Sequence, residues 1–215
     1  MKRPRLVLAD DHKIFLDGLR HILEPHFDIV GTARNGRELL SAVKLYHPEA
    51  VVVDISMPTL NGIEAVRKLK KVDSHIKAIL LTMHREVSFA AEAFRAGASG
   101  YVLKDGESEE LIAAVKEVLA GRFYLTPMIT KDTLQELLLQ APEGDEPSLT
   151  PRQREVLQLL SEGRKLKEIA AELNISISTV EFHKSELMRR LGAPTTAALI
   201  RYSISHGFSP PLAKQ

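Results

Sequence analysis

The chain of 215 residues has no cysteine and no tryptophan, and only 5% of it is aromatic. Without cysteine, disulfide staples and thiolate metal sites are excluded, which fits a reducing compartment. No stretch approaches the roughly 18 consecutive apolar residues that a membrane-spanning helix needs. The opening MKRPRLVLA carries three basic residues but runs into two aspartates rather than an apolar signal core. These absences predict a cytoplasmic protein with no membrane partner.

What remains is an ordinary soluble composition, 44% hydrophobic and 27% charged, in a chain long enough for two small domains. The net charge of +1 hides an asymmetry. Residues 1–121 balance 17 Lys and Arg against 17 Asp and Glu, residues 122–148 carry 2 against 5, and residues 149–215 carry 10 against 6. Positive charge is thus concentrated in the last segment, as expected if only that part approaches phosphates.

The first 120 or so residues alternate short β-rich runs with amphipathic helical stretches. Arg5–Ala9, Phe27–Ala33, Ala50–Asp54, Lys77–Leu81 and Gly100–Leu103 are the strand candidates. Four are near-continuous apolar runs, the pattern of parallel strands covered on both faces, while 27–33 is less uniform and suits an edge. The last helical stretch places Leu111, Val115, Val118 and Leu119 on one face, with Ser108 read as its N-cap. This βα alternation predicts an α/β fold, a doubly wound five-stranded parallel sheet whose crevice lies at the carboxyl ends of the strands.

The expected boundaries are a first domain over residues 1–121 ending at Gly121, a linker over 122–148, and a second domain over 149–215. Residues 131–139 read as a linker helix and QAPEGDEPS at 140–148 as a flexible hinge. The second domain starts sharply: Thr150 caps a helix, Pro151 takes its first position, Gln153 completes a capping box, and Gly163 stops it.

Asp10 and Asp11 end the first strand and Asp54 ends the third, and these strands are neighbours in a doubly wound sheet. Three carboxylates meeting at one crevice repel one another unless a cation compensates. A hard divalent ion with oxygen ligands, Mg²⁺, is the economical solution. Thr82 after the fourth strand and Lys104 after the fifth reach the same rim. Carboxylates, metal, hydroxyl and ammonium together suit phosphoryl transfer, in which positioning and charge neutralisation dominate.

Asp10-Asp11, Asp54 in DISMP, Thr82, and Lys104 in YVLKDG resemble, in order and spacing, the signature positions of response-regulator receiver domains. The resemblance implies that Asp54 accepts a phosphoryl group from a phosphohistidine on a histidine kinase. It also implies that Asp11, Asp54 and the Ser56 backbone carbonyl ligate Mg²⁺, with Asp10 holding a metal-bound water. Lys104 would pair with the phosphoryl group, Thr82 would turn to hydrogen-bond it, and Tyr101 would either rotate inward behind it or simply pack. Asp105, rather than proline, follows Lys104, so no cis peptide is expected there.

In the second domain, 151–162, 166–173 and about 177–191 read as helices, and 174–176 as the turn of a helix-turn-helix. Val180, Leu187 and Leu191 share an inward face with Val156, Leu160, Ile169 and Leu173. Ser178, Glu181, Phe182, Ser185 and Arg189 then point outward. An outward Phe182 suits a thymine methyl in the major groove, or is a scattered surface residue of no special meaning. Lys184 and the hydroxyls of Ser178 and Thr179 suit phosphate contacts, and Glu181 can accept from a cytosine amino group. His183, with no clustered Cys or His, reads as a packed or phosphate-contacting residue.

The stretches TPRQREVLQLL and KEIAAELNIS…TVEFHKSELMRRLG resemble the four-helix LuxR-type DNA-binding domain. That implies promoter DNA as partner, a fourth helix over about 195–206, and a homodimer in the active form, with Ala198, Tyr202 and Ile204 as candidate contacts or as core cover. An aspartyl-phosphate phosphohydrolase is the enzyme alternative, but it would place an acid two residues after the nucleophile, where Ser56 stands. A phosphorylation-independent DNA-binding protein, its first domain a docking or dimerisation module, is the other.

Overall fold

A computed structural model describes residues 2–129 and 149–205. The helix expected over 131–139, the hinge over 140–148 and the end of the fourth helix at 206 lie outside the described residues. The chain divides into two compact units, Met1–Gln140 and Ala141–Gln215.

In the first unit, strands β1 (Arg5–Ala9), β2 (Asp28–Ala33), β3 (Ala50–Asp54), β4 (Lys77–Thr82) and β5 (Gly100–Leu103) alternate with helices α1 (Lys13–Leu23), α2 (Gly36–Tyr46), α3 (Gly62–Val72), α4 (Val87–Arg95) and α5 (Ser108–Leu119). All pairings are parallel, in the order β2-β1-β3-β4-β5-β6, where β6 is the two-residue strand Tyr124–Leu125. β1, β3 and β5 are buried along almost their whole length because helices cover both faces, whereas β2 lies at the edge and is only partly buried. Each face of the sheet buries its own apolar cluster, one around Val51, Val53, Leu69 and Leu80, the other around Leu6, Leu8, Val52 and Ile79.

Three details differ from the sequence reading. The sheet has a sixth strand, too short to leave a periodic pattern. It carries the unit past Gly121: the chain turns there at φ +84°, Tyr124 N–H donates to Ser99, Thr126 N–H donates to Tyr101, and Ile129 is buried in the core. Ser108 is the first residue of α5 rather than its cap. Extended Glu107 takes the cap position, and the Ser108 hydroxyl donates to the neighbouring Glu109 carboxylate at 3.0 Å instead of accepting from the helix backbone.

In the second unit, α6 (Pro151–Ser161), α7 (Leu166–Leu173), α8 (Ile177–Arg190) and α9 (Thr196–Ser205) enclose one core. Thr150 and Gln153 close a reciprocal capping box around Pro151. At the start of α7, Lys165 N–H donates to Glu168 at 2.9 Å, so an acid three residues on replaces the usual capping hydroxyl. Asn174 ends α7 in the left-handed region at φ +51°, and Ser176 caps α8 by accepting from Thr179 N–H. That two-sided stop defines the tight turn between α7 and α8. Val156, Leu160, Ile169, Leu173, Val180 and Leu187 are buried together, while Leu191 is partly buried against them. Ala198 and Tyr202 also pack against this core.

Candidate functional site

The parallel register brings the ends of β1, β3, β4 and β5 to one rim. Asp54 pairs in register with Leu81, and Thr82 with Leu103. The loop after Asp54 folds tightly back over it, with Gly62 N–H donating to the Ile55 carbonyl. A Cβ at Gly62 would come within 2.1 Å of the Asp54 carbonyl oxygen, so only glycine admits this close return.

Asp10, Asp54 and Lys104 form a buried triad. Lys104 Nζ lies 2.6 Å from Asp10 Oδ2 and 2.9 Å from Asp54 Oδ2. The Phe15 ring lies beneath the ammonium, its centroid 4.5 Å away, which adds a cation–π contact. Asp54 also accepts from the Ser56 backbone N–H; burial pushes its carboxyl pKa up, Lys104 pulls it down, and Asp10 pushes it up again. On the other side of Lys104 a recess of about 430 Å³, lined mainly by apolar residues including Phe15, Leu19 and Leu111, opens between α1 and α5.

Asp11 is partly exposed, and its Oδ1 is buried with no hydrogen bond among the described residues. His12 Nδ1 approaches that oxygen to 2.9 Å and Asp10 Oδ1 to 3.4 Å. Ligand atoms of Asp10, Asp11, His12 and Asp54 all lie within 4.8 Å of one another. This group can hold a divalent cation, and Asp11 Oδ1, buried and accepting no hydrogen bond among the described residues, suits a ligand oxygen. His12 was missed in sequence, because one histidine after two aspartates has many uses and only the turn into α1 aims it at this pocket.

Thr82 and Tyr101 are both fully buried, and both reach the same residue beyond β4. Thr82 Oγ1 accepts from His84 N–H, and the Tyr101 hydroxyl donates to the His84 carbonyl, each at 2.9 Å. Tyr101 therefore stands inward in this structure. Its burial holds the phenol above its ordinary pKa. The His84 ring stacks on Phe89 of α4, centroids 4.1 Å apart and planes 2° from parallel, and burial lowers its pKa. His84 is thus a link between the pocket rim and α4 that no sequence spacing announced. Next to it, Arg85 pairs with Asp105, tying the loop after β4 to the loop after β5. No peptide bond among the described residues is cis, including that after Lys104.

In the second unit, Ser178, Glu181, Phe182, Ser185 and Arg189 are exposed along α8, as the helical period places them, while Thr179 and Lys184 are partly exposed. Ser176, Ser178 and Thr179 form a hydroxyl cluster at the N-terminus of α8. His183 is half-buried, with Nδ1 unpaired among the described residues and its ring edge against Phe182. Among the described residues no helix is long and apolar enough to cross a membrane.

Comparison with known proteins matches both units. The response regulator receiver domain family covers residues 6–116, and the bacterial regulatory proteins of the luxR family cover residues 147–203. The transcriptional regulatory protein MctR of Rhizobium johnstonii is 36% identical over 205 residues, 94% of each chain. The response regulator UvrY of Escherichia coli K12 is 30% identical, also over 94% of each chain. Among solved structures, RcsB from Salmonella enterica serovar Typhimurium, bound to a promoter in the presence of the phosphomimetic BeF3−, aligns with TM-score 0.66 and 29% identity, covering 95% of this chain and all of that one.

Proposed function

The chain belongs to the response-regulator family with a LuxR-type output domain, and from that premise we propose that Asp54 is its phosphoacceptor and that phosphorylation governs promoter binding by α8. The observation that carries this reading is the buried Asp10–Lys104–Asp54 triad beside the unsatisfied Asp11 oxygen.

The Asp54 carboxylate attacks the phosphorus of a phosphohistidine on a partner kinase. An O–P bond forms, the P–N bond breaks, and its electron pair leaves with the imidazole. Asp11, Asp54 and the Ser56 backbone carbonyl would hold Mg²⁺, with Asp10 placing a bound water; the ion supplies charge neutralisation for the incoming phosphoryl oxygens. Lys104, which bridges Asp10 and Asp54 in the unphosphorylated chain, transfers one of its hydrogen bonds to the phosphoryl group. Turnover is not the purpose: with Ser56 two residues after Asp54, no general acid stands where a phosphohydrolase needs one.

The signal leaves through Thr82. Its hydroxyl now accepts from His84 N–H, and turning it toward the phosphoryl group frees that amide and moves the loop on which His84, Tyr101 and Phe89 converge. Moving a switch from mostly off to mostly on takes about 5.5 kcal/mol of differential stabilisation, within reach of several new charge-assisted bonds. The output is a homodimer on promoter DNA, with Ser178, Thr179, Glu181, Phe182, Lys184, Ser185 and Arg189 facing the duplex.

The test is a DNA-binding titration with and without acetyl phosphate and Mg²⁺, on the parent chain and Asp54→Asn. The expected result is tighter binding for the treated parent alone. Equal binding in all four samples overturns the switch and favours a phosphorylation-independent regulator.

A further inference from the structure

On α8 the outward stripe is chemically unusual for a surface that meets a polyanion. Taking Val180 and Leu187 as the inward face, a rotation of about 100° per residue centres Ser178, Phe182, Ser185 and Arg189 on the opposite side and sets Glu181 on its flank. The two guanidiniums at the C-terminal end are drawn to Glu186: Arg189 makes a bidentate pair with it at 3.1 and 2.9 Å, and Arg190 approaches it to 3.6 Å. The first two turns of α8 carry no arginine or lysine up to Lys184. They carry instead Glu181, an exposed carboxylate with no hydrogen bond or ion pair among the described residues, and Phe182, 63% exposed. The edge of the half-buried His183 ring supports Phe182, centroids 5.7 Å apart, which limits the freedom the ring loses on docking.

An unpaired carboxylate brought into a major groove meets phosphate repulsion and loses water, so it is tolerated only where the groove supplies a donor. Cytosine presents its 4-amino group as a donor, whereas adenine presents its 6-amino group beside the N7 acceptor, which repels a group that can only accept. An exposed ring finds one apolar feature in the groove, the thymine methyl. We propose that Glu181 and Phe182 are the specificity-determining pair of α8, reading a cytosine by its amino group and a thymine by its methyl within each half-site. This rests on the DNA-binding reading above. It assigns base choice to an acid and a ring, and leaves Ser178, Thr179 and Lys184 to position the backbone.

The experiment selects duplexes from a random DNA pool with the full-length protein treated with acetyl phosphate and Mg²⁺. The parent chain is expected to enrich a half-site with fixed cytosine and thymine positions. Glu181→Gln, whose amide both donates and accepts, shifts the cytosine position to adenine, with a change in preference of about tenfold. Replacing the selected thymine by deoxyuridine, which lacks only the methyl, weakens binding by the parent about fourfold. Phe182→Ala is indifferent to that replacement. The deoxyuridine arm needs no altered protein, so it does not depend on how a variant folds. Enrichment of a half-site whose bases ignore both Glu181→Gln and the thymine methyl overturns the assignment while sparing the DNA-binding reading. Failure of the parent to enrich any sequence overturns that reading, and the assignment with it.

Discussion

The pocket at the strand ends and the outward face of α8 are built on opposite principles. In the pocket, Asp10, Asp54 and Thr82 are almost wholly buried, Lys104 is nearly so, and each polar group is held by another. On α8 the residues that face outward have no packing to hold them: Phe182 projects into solvent, and Glu181 is unpartnered among the described residues. These four buried side chains are over-determined, because each is satisfied by its neighbours, and among the described residues of the pocket only Asp11 at its edge keeps a buried oxygen without a hydrogen bond. An exposed face is free to be anything the partner requires. The pocket therefore says what chemistry occurs, and the face says what is recognised.

The sharpest way to break the pocket side of this contrast is Lys104→Met. It leaves Asp10 and Asp54 facing each other in a buried site with no cation between them. Breaking a buried ion pair by removing one partner costs about 3–5 kcal/mol. In urea melts, the loss is expected in the unfolding transition of the first unit alone, and added Mg²⁺ is expected to recover part of it by restoring positive charge. A first-unit transition that is unmoved without metal would mean that the Lys104 ammonium does not hold Asp10 and Asp54 together, and that the triad is not an ionic one.

A middle-sized effect separates holding from signalling inside the pocket. Thr82→Val keeps the shape of a buried side chain but leaves His84 N–H without its acceptor. The stability cost is that of leaving this donor unpaired, about 1–3 kcal/mol. Uptake of a phosphoryl group from acetyl phosphate, followed by mass spectrometry, is expected to persist, while the phosphorylation-dependent gain in DNA binding is lost. Loss of both together would make Thr82 part of the transfer chemistry and remove His84 from the signalling route.

The same contrast explains what was legible in the sequence. The parallel sheet, and the meeting of Asp10, Asp54, Thr82 and Lys104 at its rim, follow from apolar runs that end in polar residues, since strands buried on both faces carry their polar groups at their ends. The full strand order does not follow from the runs. The capping box at Thr150 and the turn at Asn174 were equally plain, because each uses a residue type that the backbone demands. β6 was invisible, since two residues cannot show a period. Ser108 misled because a serine before a helical pattern usually caps it, whereas here the loop from Leu103 to Gly106 sets the entry one residue earlier. His12 and His84 act through the path of a loop, and loop paths are set by tertiary contacts that spacing does not encode.

The smallest expected effect on stability falls where the largest effect on recognition is expected. Glu181→Gln and Phe182→Ala change side chains that are exposed on α8, outside the core formed by Val180, Leu187 and Leu199. Surface changes away from caps, cores and networks usually alter stability by no more than about 0.5 kcal/mol. Phe182 touches the ring edge of His183, so any small loss is expected for Phe182→Ala rather than for Glu181→Gln. Unfolding of the second unit, followed by helical circular dichroism in urea, is the measurement. If either variant lost 2 kcal/mol or more, well above the usual range for exposed sites, that side chain would be holding the fold. Its change in base preference would then no longer report recognition. If both stay within the surface range while the selected half-site changes, the separation holds: the core of α8 fixes where the helix lies, and the exposed residues decide which bases it meets.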